Sequence, residues 1–404
     1  GLSSFPLAVL GSILVGLLES FSSFFASTWK EVIVFSLIVP ILIFRSLGHG
    51  RLHEEDHGAE TPVGVALDFS PEALEKQYRT QLFVAIGFVL LCALVPVFLS
   101  DYALAIFDYI GLAAIASLGL VLLTGVAGLT SFAQAAYVGI AAYTTGYLSS
   151  VHGISPWLTL PVVLVATALL ALVGSLLTVK LSGHYLPLAT LALGIVAYYL
   201  FGTLEITGGQ SGMANVPGLS VFGYPIQGPR AFYFVIWGVL LLTLLAMRNM
   251  LDSRPGRAIR ALKHGIVMAE SVGVDTRRTK IVSFVIACLL AGLAGWLYAH
   301  FQRFLNPSPF SITHGIEYLF MAVVGGAGQV WGALVGAGVI TVLKQWLQDI
   351  LPKLFGSAGN YEVIVFGLMM MIVLHRAREG LWPQLARLVP VRTELKQIDA
   401  SAEP

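Results

Sequence analysis

Charge is what this sequence has least of. Only 11% of its 404 residues are Asp, Glu, Lys or Arg, against about 25% in ordinary soluble domains. Hydrophobic residues reach 57% and the mean hydropathy is +0.83. So much apolar surface cannot be hidden in one core beneath a wetted exterior, which excludes the soluble classes. Cysteine is scarce as well. Cys92 and Cys288 both lie deep in apolar runs, which reads as two buried reduced thiols and leaves no disulfide or metal framework. The dipeptide Gly-Lys never occurs, so the phosphate-cradling GxxxxGK[ST] loop is absent and any ATP must be hydrolysed by partners. HExxH, GxSxG and paired carboxylates in a cleft-forming pattern are missing too. The expectation is no catalytic residue, no metal and no cofactor. A net charge of +1 without an aromatic-laced basic tract gives no nucleic-acid partner.

What is present is a succession of apolar blocks, about 6–26, 31–45, 81–99, 103–127, 132–151, 157–180, 184–202, 231–248, 281–302, 314–325, 328–349 and 361–376. Most approach the roughly 20 helical residues needed to cross about 30 Å of hydrocarbon. Unbroken runs read as helices rather than barrel strands. The fold class expected is all-α, a polytopic transmembrane bundle with about ten spans over 81–376 and two more before it. The block 314–325 is too short to span unaided and reads as a re-entrant or broken helix, tolerated where protein or water covers it.

Lys and Arg set the orientation. They crowd into 248–280, the tail after Arg376 and the stretch 46–80, whereas 149–156 has none and 203–230 has only Arg230. Putting the basic loops in the cytoplasm alternates consistently, with the linker and C-terminal tail inside. Residues 46–80 are polar and acidic. His49, His53 and His57 allow a metal set on spacing, but a solvated linker explains the same residues. Ser70-Pro71 reads as a helix start.

The chain also repeats itself. Glu31-Val32-Ile33-Val34-Phe35 recurs as Glu362-Val363-Ile364-Val365-Phe366, after a Gly-opened apolar helix and before a terminal Arg, Arg45 or Arg376. The division expected is 1–45 as the end of a preceding permease-like unit, 46–80 as a cytoplasmic linker, 81–376 as a complete unit, and 377–404 as a cytoplasmic tail. Gly1 follows no basic stretch, so 6–26 is not read as a signal peptide, and the repeat places the start of the first unit upstream. Two such units would enclose one pathway.

Four motifs carry the mechanism. Gly128-Leu129-Thr130-Ser131-Phe132-Ala133-Gln134-Ala135-Ala136-Tyr137, continuing to Tyr143, combines small residues that permit close helix approach with polar groups that must find partners or line water. Thr207-Gly208-Gly209-Gln210-Ser211-Gly212 either turns the outer chain or offers backbone N–H groups to a carboxylate. The basic loop with Arg257, Arg260, Ala269, Glu270, Gly273 and Lys280 is either a docking knob or a solvated positive-inside loop. Small residues at 291–295 and at Gly328, Gly332 and Gly336 read as helix packing. Of the ionisable residues near the apolar blocks, Glu19, His184, Glu205, Glu317, Lys344 and Glu362, Glu317 is the best candidate to line a pathway.

In this order the motifs resemble permease subunits of branched-chain amino-acid ABC importers. The resemblance covers about 81–376 and is to the second of the family's two permease types, with 1–45 similar to the end of the first, as in a fused permease. It implies alternating access in a bacterial inner membrane. It also implies two cytoplasmic ATP-binding subunits, an extracytoplasmic solute-binding protein and the other permease unit as partners. Thr130, Ser131, Gln134, Tyr137, Tyr143, Thr190, Thr207, Gly208, Gly209 and Glu317 become candidates for the substrate pathway. Arg257, Arg260, Ala269, Glu270, Gly273 and Lys280 become candidates for ATPase coupling, although Gly265 stands where relatives often carry an acid. Permeases for urea or short amides share the pattern, and an ion-coupled secondary transporter is the remaining alternative.

Overall fold

The computed structural model describes residues 5–48, 87, 92–178, 181, 185–221, 224–263, 265–355, 361–376 and 380–388. The sequence-predicted helix at Ser70-Pro71 and the three linker histidines lie outside them, as does His184. Almost every described element is helical, as the composition predicts. Five helices among the described residues are long and apolar enough to cross a membrane.

Helix α1 (Phe5–Phe25) meets α2 (Lys30–Gly48) through a single tight turn, Ser27–Trp29. Lys30 Nζ reaches Glu19 at 3.2 Å and Glu31 at 3.5 Å across that turn, and Glu31 faces the positive end of α2. Most of α1 is exposed apolar surface. Its neighbour α2 lies against α6 (Tyr185–Thr203), and the Thr203 hydroxyl at the end of α6 donates to the Thr28 carbonyl in the turn before α2 at 3.4 Å.

The centre of the molecule is α3 (Asp101–Leu120), opened by Ser100, whose hydroxyl accepts from the Ala103 N–H at 3.4 Å. With the π-helical turn Val121–Val126 that continues it, it forms a span of which 83% of one 18-residue apolar stretch is buried. In the corresponding stretch of α5 (Pro156–Thr178) only 28% is. There Leu158, Val162, Val165, Leu169, Val173 and Leu176 recur every three or four residues and are exposed, a stripe suited to lipid. Between them lies α4 (Gln134–Gly146), ending in a second π-turn, Tyr147–Val151.

After α6 comes a loop segment with two 3₁₀ turns, Glu205–Thr207 and Gly209–Ser211, and a two-stranded antiparallel ladder, β1 (Ser220–Val221) with β2 (Tyr224–Pro225). Then follow α7 (Gly228–Asp252), α8 (Arg254–Lys263), the short α9 (Ile266–Ser271) and α10 (Thr276–Gln302). The chain closes with α11 (Ile312–Gly326), α12 (Gly332–Phe355), α13 (Tyr361–Arg376) and α14 (Leu381–Leu388). Helices α7, α10, α11 and α12 all surround α3, and α10 also carries α4 and α5.

Small residues make this close contact possible. A Cβ on Gly295 of α10 would collide with the Val138 carbonyl of α4, and one on Gly336 of α12 with the Met321 carbonyl of α11. At 15 residues, α11 rises about 22 Å, short of the hydrocarbon thickness. It is sheathed by α3, α4 and α12, which satisfies the covering condition expected for block 314–325.

Candidate functional site

The first polar motif folds as a brace at the junction of α3, α4, α6 and α10. Gly128 takes φ +73, which lets the chain reverse after the π-turn. Ser131 is buried and its Oγ accepts from the Ala133 N–H at 3.4 Å, just ahead of α4. Thr190 on α6 accepts from the Phe132 N–H at 3.1 Å while donating to the Pro187 carbonyl at 2.9 Å. Gln134 is 1% exposed, and its Nε2 donates to the carbonyls of Ala116 on α3 at 2.9 Å and Ala287 on α10 at 3.0 Å. Thr130 sits half-buried at the edge of this cluster.

The tyrosines of the motif point two ways. Tyr137 is buried edge-on against Phe284, with its hydroxyl beside Gly174 of α5. Tyr143 stacks on Phe201 of α6 at 4.9 Å and meets Phe310 edge-on at 5.7 Å, while its buried hydroxyl has no partner. Tyr143 is thus the one tyrosine of the pair with unused hydrogen-bonding capacity next to α6.

The structure does not gather all the predicted residues at one point. Thr207, Gly208 and Gly209 lie beyond the far end of α6. The Thr207 hydroxyl donates to the carbonyls of Phe201 and Leu204, both at 2.7 Å, and so closes that helix. Gly208 has φ +77, and a Cβ there would strike the Gly212 carbonyl. This loop is clipped to the end of α10: Met213 and Leu305 exchange backbone hydrogen bonds of 2.8 Å, and Val216 N–H donates to the Arg303 carbonyl at 3.2 Å. Glu317, on α11, pairs with Lys344 of α12 at 2.7 Å, its side chain only 11% exposed.

The basic loop forms a protruding arm. α8 buries Gly256, Ile259 and Leu262 and presents Arg257 and Arg260 outward, Arg260 reaching Asp252 at 3.6 Å. At the tip, Ala269 is buried, whereas Val267, Met268 and Val272 are 72%, 65% and 71% exposed. Glu270 accepts from the Thr276 hydroxyl at 2.7 Å. Gly273 takes φ +83 with open space around it, and Asp275 caps α10 by accepting from the Arg278 N–H at 3.0 Å. Lys280 borders a small pocket with Leu129, Ser175, Thr178 and Phe284. Three large exposed apolar side chains thus sit together on a charged arm.

Two features escaped the sequence reading. Asp108, on α3, is fully buried and neither carboxylate oxygen has a partner. It is the lone charged residue of block 103–127, which was signal enough to find it. Lys263 donates to the Gly125 carbonyl at 3.1 Å. Nothing in the sequence joins residues 138 positions apart.

A lipid-facing helical bundle with polar braces between its helices and an apolar-tipped arm is the build of a polytopic transport protein. Residues 102–374 match the family described as "Branched-chain amino acid transport system / permease component", and the chain belongs to it. Over 296 residues it is 28% identical to the "High-affinity branched-chain amino acid transport system permease protein LivM" of Escherichia coli (strain K12), covering 67% of each chain. Over 300 residues it is 28% identical to the "Probable branched-chain amino acid transport permease protein LivH" of Methanocaldococcus jannaschii, covering 70% of this chain and 93% of the other. A Salmonella typhimurium LivH permease shares 32% over 141 residues, 35% of this chain and 44% of its own. No solved structure matches.

Proposed function

We propose that this chain is the membrane-spanning subunit of an ATP-binding-cassette importer and moves leucine, isoleucine and valine across the bacterial inner membrane. The observation that carries the reading is the family match across 102–374. The arm supports the mechanism: its apolar tip of Val267, Met268 and Val272 is the docking surface for two cytoplasmic ATP-binding subunits, which hydrolyse the ATP. A solute-binding protein delivers its load to the outer segment around 203–230. ATP closes the partners, the arm moves, and the helices near 128–143 and 185–203 reorient.

In this reading Thr130, Tyr143, Thr190 and the Thr207-Gly208-Gly209 turn lie nearest the solute's route. Ser131, Gln134 and Tyr137 shape it from behind. The Glu317–Lys344 pair holds α11 beside it. Residues 1–45 end a preceding unit, joined by the linker 46–80 to the unit 81–376. The recurrence of the Glu-Val-Ile-Val-Phe segment and the seat of α2 on α6 support that division. The linker and the tail from 377 lie in the cytoplasm with the other basic segments.

The test is uptake of labelled leucine into proteoliposomes holding the full transporter, with unlabelled valine and urea as competitors. ATP-dependent uptake blocked by valine but not urea is expected. ATP-dependent uptake of urea without leucine would replace the solute, and uptake without ATP would overturn the importer reading.

A further inference from the structure

We propose that Lys263 is a positioning residue that hooks the cytoplasmic arm to the π-turn ending α3, so that arm movement is delivered to α4 and α6. The proposal rests on the transport reading above and adds the part that conveys force.

Lys263 is the last residue of α8. Its Nζ donates to the carbonyl of Gly125 at 3.1 Å, inside the turn Val121–Val126. The last turn of a helix leaves carbonyls without intrahelical partners and gathers the negative end of the dipole, so an ammonium is well held there. The contact has a second point. A Cβ on Gly128 would lie 3.5 Å from Lys263 Cα and 3.7 Å from its Cγ, so the lysine passes along the turn as well as ending on it.

On the arm side, the hook lies just before a hinge. Gly265 has φ +126, a conformation barred to most L side chains, and α9 with its exposed tip starts immediately after it. Arg260 ties the same helix to Asp252 at the foot of α7. The arm is thus tied to α7 through Asp252, which both Arg257 and Arg260 reach, to α10 through Glu270 and Thr276, and to the π-turn through Lys263. On the membrane side, the turn leads through Gly128 to Phe132, whose N–H is held by Thr190 of α6, and then to Gln134 at the head of α4. A π-turn has looser hydrogen bonding than an α-helix and is a common place for functional rearrangement. Arm, hook, turn and pathway helices thus form one chain of direct contacts.

The residue as a whole is exposed, so Lys263→Met removes the ammonium without opening the core, and Lys263→Arg keeps a cationic donor. The experiment compares wild type, K263M and K263R in the full transporter, assembled with its ATP-binding subunits and binding protein in liposomes. Leucine taken up per ATP hydrolysed is measured together with nucleotide-dependent hydrogen exchange over 128–146. K263M is expected to assemble and hydrolyse ATP, lose about tenfold in uptake per ATP, and lose the nucleotide response in exchange, with K263R restoring much of both. A merely structural role would change the amount of transporter but not the ratio. An unchanged ratio, or an unchanged exchange response in K263M, overturns the hook. Wild type that fails to move leucine yet shows a nucleotide response abolished in K263M overturns the solute and keeps the hook. Wild type whose exchange ignores nucleotide overturns both.

Discussion

Gln134 is buried, and its two N–H donors both end on backbone carbonyls of different helices. Each such bond contributes about 1 kcal/mol net. Gln134→Leu keeps much of the volume and should lower the thermal midpoint in detergent by a few degrees. Gln134→Glu sets a carboxylate against two carbonyl oxygens and should lower it further. The opposite ranking in a melting series would remove the brace role. Glu317 and Lys344 pose a related question, because a buried ion left alone costs about 3–5 kcal/mol. The singles E317Q and K344M should each be more damaging than the double E317Q/K344M, and a thermal-stability cycle showing additive losses would deny the pairing. Both residues stood out in the sequence as ionisable groups near apolar blocks. Their partnership did not, because they lie on separate helices and no local spacing joins them. Asp108 was equally visible as a single acid in an apolar run, and the strength of the surrounding hydrophobicity masked it.

Helices were the most legible level, for a physical reason. A bilayer demands long uninterrupted apolar stretches, and their edges are marked by charge, proline and glycine. The blocks expected at 157–180, 281–302 and 361–376 correspond to Pro156–Thr178, Thr276–Gln302 and Tyr361–Arg376. The π-turns closing α3 and α4 were not legible, since their apolar sequences continue the helical pattern. Helix contacts were readable only as small-residue spacing. Gly295→Leu should be among the most disruptive single changes, because backbone of α4 stands where its Cβ would go; overpacking costs about 1–3 kcal/mol or more. A variant melting like wild type would contradict that packing. The arm behaves differently. Met268→Glu leaves the bundle untouched, because Met268 is 65% exposed. It should reduce capture of the ATP-binding subunits about tenfold in a pull-down while the melting point holds. Unchanged capture would show that the tip is not the docking surface.

For the whole molecule, the distribution of Lys and Arg, itself the topogenic signal, predicts which loops face the cytoplasm. Cys92 and Cys288 are buried free thiols, so an impermeant maleimide should find no ready target in the native chain. A cysteine at Tyr224, which is 79% exposed, should be labelled from outside intact cells. One at Arg257 should react only after the membrane is opened. The reverse pattern would invert the protein in the bilayer. The site was less legible than the fold. The motif 128–137 marked polar groups in an apolar setting, but whether a threonine, serine or glutamine faces a route or a neighbouring carbonyl depends on helix rotation and on contacts distant in sequence.

The two ends of α10 are fastened to opposite faces of the molecule. Its first turn starts at the Asp275 cap beside the arm, and just past its last turn the backbone clip of Met213 and Leu305 holds the loop that follows α6. At 27 residues without an internal proline, the helix is about 40 Å long, and side-chain packing against α3, α4 and α5 grips it along its length. Such a member behaves as a strut: it is stiff along its axis, so a tilt imposed at one end reappears at the other without passing through a sequence of smaller adjustments. The loop at 213–216 is therefore geared to the arm through a single piece of backbone, and the two ends of the bundle are coupled in shape.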